Sequence, residues 1–192
     1  MPSVLVFPAA PNPLDRHGII VVSPTRESKA VSLTGLYERA SEPSPIGDDD
    51  RAEFARLFRA DRTVRRVAMN ARTPAPPLGF AMAAPATSAQ ELANALRIDQ
   101  IPKHVRGSIE DGAPWFLIVS VSATNPGFGI GRALANQALS AMRSGGARHV
   151  FVAAGASETS LIARLRDAGF SVDAASSDRR RVLLSRNVDF TF

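Results

Sequence analysis

The stretch Trp115-Phe116-Leu117-Ile118-Val119-Ser120-Val121 is separated by only five residues from Gly127-Phe128-Gly129-Ile130-Gly131. The first part is an almost continuous apolar run of strand length, which is typical of a strand buried on both faces. Beyond the glycines, apolar residues recur at helical spacing until Gly145-Gly146, where a helix would end. The sequence therefore predicts a buried strand, a glycine-rich turn and a helix in direct succession.

The residues after this helix continue the alternation of strands and helices. The predicted elements are a strand at 149–153, a helix carrying Leu161, Leu165 and Ala168, and hairpin strands at 170–174 and 181–188. Ser157 would cap the helix, and Gly169 stands where a left-handed residue commonly ends one. This order indicates an α/β fold with a mixed sheet that is flanked by helices.

Weaker signals in the first half of the chain predict the remaining elements. They are strands at 18–23, 64–69 and 78–83, and helices at 33–39, at 92–98 and around Phe54, Leu57 and Phe58. Asp50 with Glu53 and Ser88 with Glu91 have the spacing of helix-capping boxes. Residues 99–114 show no strong pattern and predict a loop that could hold a helical turn.

Length and composition indicate one globular domain. The 192 residues are 45% hydrophobic and 21% charged, which is typical of a chain that forms a core. The proline-rich residues 1–17 predict an irregular arm, and residues 18–192 would form the domain. No window offers about 20 apolar residues free of breakers. The chain also shows no secretory signal pattern, so we expect a cytoplasmic protein without a membrane span.

The residue types exclude several chemistries. The absence of cysteine rules out disulfides, thiolate zinc sites and cysteine nucleophiles. His17, His104 and His149 lack metal-ligand spacing, so no metal site is predicted. The net charge is +5, and 21 of the 23 basic residues are arginines, which suit phosphate and carboxylate partners. Acidic residues are interspersed and no aromatic stacking pattern accompanies the arginines, which disfavours nucleic-acid binding.

The glycine-rich turn has the composition of a phosphate site. Glycines before a helix can expose backbone N–H groups to an anion, although a tight turn without a ligand is the alternative interpretation. A Walker loop would need Lys-Ser/Thr after its last glycine, but Arg132-Ala133 follows Gly131. A dinucleotide fingerprint starting at Gly129 would place its third glycine at Leu134. Both of these motifs are therefore disfavoured.

Residues 117–121 followed by Pro126–Leu134 resemble motif A of the GNAT N-acetyltransferase superfamily, whose signature is Arg/Gln-x-x-Gly-x-Gly/Ala before a helix. The run Glu158–Phe170 is similar to the next helix of that family, which typically ends in Gly-Phe, and the spacing between the two motifs also fits. The resemblance covers about residues 115–188. It implies a mixed, mostly antiparallel twisted sheet, with the cofactor-binding core in 115–188.

The resemblance also implies binding of acetyl-CoA. In this family the amides of the glycine turn hold the CoA pyrophosphate, and the preceding strand splays to pair with the pantetheine arm. Val119 and Val121 would then lie beside the pantetheine and acetyl groups. The phosphate turn and helix start would comprise Phe128, Gly129, Ile130, Gly131, Arg132 and Ala133. The acceptor would be a small-molecule or protein amine, and the family pattern is compatible with a homodimer.

Three positions depart from the family pattern. Pro126 replaces the leading Arg/Gln, Glu158 stands where Asn is often found, and Leu165 stands where a general-acid Tyr is often found. Acetyl transfer can proceed mainly by positioning an amine beside a thioester, so the resemblance still implies an N-acetyltransferase that acts by direct attack. A catalytically silent CoA-binding regulatory module is one alternative, and an arginine-rich nucleic-acid-binding protein is a less favoured one.

Three residues are candidates for contact with the reacting groups. Glu158, at a helix start, could act as a base through water, or could simply complement the helix dipole. Ser157 could donate a hydrogen bond to the thioester or thiolate, or could cap the helix. Tyr37 is the only tyrosine and lies on a predicted helix that, by resemblance, borders the acceptor site; a packing role is the alternative.

Overall fold

The computed structural model describes residues 14, 17–25, 33, 35, 47–72, 76–99, 101–110, 114–121, 128–175 and 180–188. Within these residues, five helices flank a sheet of seven strands. The strands are β1 Ile19–Val22, β2 Val64–Asn70, β3 Gly79–Pro85, β4 Trp115–Val121, β5 His149–Gly155, β6 Ser171–Ala175 and β7 Arg181–Asn187. The helices are α1 Asp48–Arg59, α2 Ala89–Leu96, α3 Lys103–Glu110, α4 Ile130–Ser144 and α5 Thr159–Asp167.

The strands are arranged in the order β1-β2-β3-β4-β5-β7-β6. Each neighbouring pair is antiparallel except β4 and β5, which are parallel. A short hairpin cannot join parallel neighbours, and α4 supplies the crossover between them. The prediction of a mixed, mostly antiparallel sheet flanked by helices is confirmed.

The pairing between β4 and β5 is unusually short. Only Trp115 with Val150 and Phe116 with Phe151 are in register, whereas β4 pairs with β3 over seven residues and β5 pairs with β7 over seven. From Leu117 and Val152 onward, the two strands no longer pair with each other. The sheet is therefore open between β4 and β5 at their carboxyl ends.

Each face of the sheet carries its own apolar core. On one face, α1, α2 and α3 bury side chains that include Phe58, Leu92 and Val105 against strand residues such as Phe116 and Phe151. On the other face, α4 and α5 cover a second cluster. The residues that α4 buries recur every four positions, at Ile130, Leu134, Ala138 and Met142. This period is what the sequence of the helix predicts for one face against a sheet.

Helix α4 runs back along β4 in the opposite direction. A Cβ added to Gly131, in the first turn, would lie 3.4 Å from Val121 Cγ2 at the end of the strand. A Cβ added to Gly145, after the last turn, would lie 3.1 Å from Cζ2 of Trp115 at the start of the strand. The small residues at both ends therefore allow the helix backbone to approach the sheet closely.

The structure confirms most predicted elements and corrects three local predictions. Asp50 lies inside α1, which begins at Asp48, so its predicted capping role is wrong. Ser88 does cap α2, because its hydroxyl accepts a hydrogen bond from Glu91 N–H at 3.1 Å. Residues 103–110 form the eight-residue helix α3, where the sequence predicts a loop that could hold a helical turn. Helix α2 ends at Leu96, two residues before the predicted end.

Some predictions lie largely outside the described residues. Leu33 and Gly35 are helical, but the rest of the predicted helix at 33–39 is outside the described part of the chain, as is most of the N-terminal arm. Across the described residues, no helix is both long enough and apolar enough to cross a membrane.

Candidate functional site

The carboxyl ends of β4 and β5 meet at one edge of the sheet because the two strands are parallel. Helix α4 begins beside the end of β4, and three residues separate the end of β5 from the start of α5. The opening in the sheet, the start of α4 and the start of α5 are therefore brought to the same edge.

The start of α4 has the geometry of an anion cradle. Gly129 is the N-cap residue and adopts a left-handed conformation with φ of +72°, which favours glycine. Among the described residues, no side chain caps the helix there, and no atom lies within 4 Å of the position a Gly129 Cβ would occupy. The first N–H groups of a helix have no intrahelical acceptor and carry partial positive charge. These features fit a phosphate group.

The residues expected at this site are brought together. Val119, Val121, Phe128 and Ala133 are half-buried and pack against the cluster that covers this face of the sheet. Ile130 is buried and anchors the first turn of α4 in the same cluster, while Arg132 is exposed. Pro126 and Gly127 lie outside the described residues.

Glu158 closes the turn between β5 and α5. Its Oε2 accepts a hydrogen bond from Gly155 N–H at 2.6 Å, and Glu158 N–H donates to Gly155 O at 2.9 Å. Glu158 is itself the N-cap residue of α5, so the prediction that Ser157 caps this helix is wrong. Ser157 lies exposed in the turn. The carboxylate of Glu158 bends back towards the strand end, which leaves it exposed at the edge where the sheet opens.

Two other predicted positions contribute differently. Leu165 is half-buried on the inner face of α5 and packs into the cluster shared with α4. A leucine at this position contributes packing contacts, and it cannot donate a proton as a tyrosine could. Gly169 has φ of +85° and follows the C-cap of α5, as predicted. Tyr37 lies outside the described residues.

Several arginines are engaged within the fold. The Arg65 guanidinium donates to the carbonyl oxygens of Phe58, in the last turn of α1, and of Ala60 and Thr63, in the turn that follows it. It also lies 5.3 Å from the Phe58 ring centroid. Arg181 donates to Leu96 O, at the end of α2, at 2.7 Å. Positive charge at a helix C-terminus is favourable. These arginines therefore stabilise helix ends, and Arg179 lies outside the described residues.

A polar network joins α1 and α2 on the opposite face of the sheet. Arg56 donates to Glu53 at 2.6 and 2.7 Å and reaches Glu91 at 3.3 Å. Glu91 Oε2 also accepts from Thr87 N–H and Oγ1–H, each at 2.7 Å. Partial burial raises the pKa of Glu91, but the hydrogen bonds from Thr87 and the charge of Arg56 outweigh it and lower the pKa. The hydrogen bond to Glu53 raises the pKa of Arg56.

A small cleft adjoins this network. It has a volume of about 20 Å³, which accommodates about one water molecule. Its lining comes from α1, from α2 with its C-cap residue, and from β4, and includes Glu53, Leu57, Asn94, Arg97 and Ile118. Ile118 places the cleft on the face of β4 that α4 does not cover. Sequence reasoning missed this cleft because its residues are distant in the chain and show no common motif.

Among the described residues, no group of three or more histidine, aspartate or glutamate side chains could hold a metal ion. Sequence reasoning also missed a contact between His17 and Phe128, whose ring centroids are 4.4 Å apart. No local signal predicts it, since the two residues are more than a hundred positions apart.

The fold is that of the GNAT acetyltransferases. A phosphinothricin acetyltransferase of the GNAT superfamily from Sinorhizobium meliloti, solved with acetyl-CoA, superposes with a TM-score of 0.61 at 16% identity, covering 88% of each chain. The ribosomal-protein-S18-alanine N-acetyltransferase of Escherichia coli has a TM-score of 0.59 at 14% identity over 91% of this chain and 96% of its own. An N-acetyltransferase from Staphylococcus aureus has a TM-score of 0.61 at 13% identity over 89% and 99%.

Comparison of the sequence with protein-family models and with curated proteins gives no match. The structural neighbours therefore confirm the resemblance at the level of the fold.

Proposed function

We propose that this protein is an acyl-CoA-dependent N-acetyltransferase that transfers acetyl from acetyl-CoA to a primary amine. One observation carries the proposal: the sheet opens between β4 and β5 beside a helix start with the geometry of an anion cradle. The solved structure of a neighbour with the same fold contains acetyl-CoA, which supports this choice of ligand.

The chain offers two kinds of contact to such a ligand. The N–H groups of Ile130, Gly131 and Arg132 would hold the pyrophosphate at the start of α4. The backbone of β4 beyond Phe116 has no partner on β5, so it is available to hydrogen-bond the amides of the pantetheine arm. Val119 and Val121 would line the arm on the α4 side of the sheet.

When bound, acetyl-CoA supplies a thioester whose carbonyl carbon accepts the amine nitrogen while the C–S bond breaks, giving an N-acetyl amide and the CoA thiol. The protein contributes chiefly by holding the two reactants together, which can lower the activation barrier substantially. Glu158 would accept the proton lost by the amine, through a water molecule. Ser157, exposed beside it, would donate a hydrogen bond towards the departing sulfur.

Thermal unfolding with and without acetyl-CoA tests the binding step. Ligand at 100 times its Kd adds about 2.7 kcal/mol of stability, which shifts the Tm of a domain of this size by roughly 5–10 °C. Gly129→Glu should abolish the shift because it places a carboxylate at the anion cradle. Gly146→Glu is a matched control: Gly146 has φ of +83°, has open space around it and lies at the other end of α4. A shift that survives in Gly129→Glu contradicts the proposed site.

A free-thiol assay across a panel of small amines and amine-bearing peptides tests the transfer step. Thiol release that depends on one class of amine supports catalysis and identifies the acceptor.

The second candidate is a catalytically silent module that binds CoA. Two observations favour it: Leu165 supplies only packing on the inner face of α5, and the Glu158 carboxylate is engaged with Gly155 N–H. A CoA-dependent Tm shift without turnover for any amine would support this candidate, whereas turnover with any amine would exclude it.

A further inference from the structure

The N-terminal turn of the domain is anchored beside the glycine turn. Leu14 is 1% exposed and belongs to the cluster beneath α4. Its carbonyl oxygen accepts hydrogen bonds from His17 N–H at 3.0 Å and Ile19 N–H at 3.1 Å. The His17 ring lies against the Phe128 ring, with centroids 4.4 Å apart and planes inclined at 55°. An exposed imidazole is therefore fixed next to the residue that precedes Gly129.

An arginine reinforces this position. Gly18 has φ of +65°, and Arg72 Nε lies 3.0 Å from where a Gly18 Cβ would stand. Ala71 N–H donates to Gly18 O at 2.8 Å, and Arg72 N–H donates to Asn70 Oδ1 at 2.8 Å, which together fix the backbone beneath the guanidinium. Arg72, which follows β2, therefore lies beside Gly18, the residue next to His17, and both side chains are exposed.

We propose that His17 and Arg72 recognise the 3′-phosphate of CoA. This inference rests on the CoA binding proposed above. CoA carries two separate phosphate centres, a pyrophosphate and a phosphomonoester, and the amides at the start of α4 account only for the first. A guanidinium fork matches the geometry of a phosphomonoester, and an imidazole adds an N–H donor.

The surrounding charge favours the same ligand. The first turn of α4 contains no acidic residue, and its exposed Arg132 adds positive charge. Arg72 adds a second exposed cation, beside Gly18.

Isothermal titration with acetyl-CoA and with acetyl-dephospho-CoA, which lacks only the 3′-phosphate, tests the proposal. The full-length wild-type chain should bind acetyl-CoA about tenfold more tightly than the dephospho form. His17→Ala and Arg72→Met should each weaken acetyl-CoA binding severalfold and leave the Kd for the dephospho form nearly unchanged. Arg143→Met is the control, because Arg143 is an exposed arginine in the last turn of α4. It should preserve the tenfold preference.

Three outcomes are decisive against the proposal. Equal affinity of the wild type for the two ligands overturns it and leaves CoA binding intact. Equal weakening of both ligands in Arg72→Met overturns it too, because the side chain would then act on the pyrophosphate or on the fold. Binding of neither ligand by the wild type overturns this inference together with the proposed function. Thermal unfolding of each variant shows whether the His17 substitution destabilises the fold. If it does, the comparison of the two ligands in Arg72→Met decides the proposal, because Arg72 is exposed.

Discussion

The backbone of Gly131 packs against the side chain of Val121: a Cβ added to Gly131 would lie 3.4 Å from Val121 Cγ2. This contact sets the start of α4 against the last residue of β4. It brings the anion cradle at Gly129 and the open end of the sheet into one site. The cost of adding a side chain at Gly129 or Gly131 depends on the φ angle of the residue as well as on the space around its Cβ position.

Gly129→Ala and Gly131→Ala should therefore differ in stability. Gly129 has open space around it but a left-handed φ of +72°, so alanine should cost about 1–2 kcal/mol. Gly131 is helical and its Cβ would make an ordinary contact, so alanine should change the free energy of unfolding by less than about 1 kcal/mol. Urea denaturation measures both, and equal losses would contradict the argument.

Gly79→Ala should destabilise the sheet beside the opening. A Cβ at Gly79 would lie 2.8 Å from Ser120 O and 3.2 Å from Leu134 Cδ1, so backbone must move to admit it. We expect a loss of about 1–3 kcal/mol, the usual cost of overpacking. Gly107→Ala is the control, since no described atom lies within 4 Å of its Cβ position in α3. An unchanged urea midpoint for Gly79→Ala would show that β3 can shift freely.

Arg65→Met should loosen the end of α1. The substitution keeps apolar contact with Phe58 but removes the donor for three carbonyl oxygens, and hydrogen bonds to charged groups contribute about 1.5–3 kcal/mol. Arg62→Met, at an exposed position in the α1–β2 turn, should change stability by less than about 0.5 kcal/mol. Similar denaturation curves for the two variants would exclude a specific capping role for Arg65.

Stability should fall at acidic pH partly because of Glu91. Its pKa is lowered in the folded state, so the folded form favours the carboxylate more than the unfolded form does. That contribution is present above the unfolded pKa of about 4.3 and is lost as pH falls through the folded pKa. Thermal unfolding from pH 7 to pH 3 should show a smaller acid-induced loss in Glu91→Gln than in the wild type. An identical pH profile in the two proteins would show that Glu91 does not contribute to the acid-induced loss of stability.

Glu158 allows its structural and chemical roles to be separated. In Glu158→Gln the side-chain amide oxygen would still accept from Gly155 N–H, so this variant should retain its Tm, whereas Glu158→Ala should lose about 1 kcal/mol or less. If Glu158 accepts the amine proton, both variants should lose about 100-fold in kcat. A full kcat in Glu158→Gln, measured by thiol release, would assign this residue to the turn alone.

Periodicity in the sequence predicts the elements around the site well. The β4 run matches the observed Trp115–Val121 strand, because a strand covered on both faces must be apolar throughout. The glycines at 145 and 146 end α4 as predicted, and Gly169 adopts the expected left-handed conformation.

Other features depend on contacts that periodicity does not encode. Arg97 ends α2 with φ of 55°, although glycine is the usual residue in that conformation. Helix α3 has Gly107 in its interior, and its start is marked only by Pro102, whose carbonyl accepts from Val105 and Arg106 N–H. The opening between β4 and β5 is a matter of register between distant segments, so no local pattern predicts it.

The two register pairs between β4 and β5 also have a mechanical consequence. Within the part of the chain that the structure describes, they are the only β-ladder contacts that join a four-stranded half of the sheet, β1 to β4, to a three-stranded half, β5 to β7. The amide hydrogens of β4 and β5 that face the opening beyond Phe116 and Phe151 should exchange with solvent sooner than those paired with β3 or β7. A ligand lying along this seam would slow that exchange and hold the halves together. The affinity of the ligand would then be linked to the free energy needed to separate the two halves of the sheet, because the ligand binds only while the halves are together.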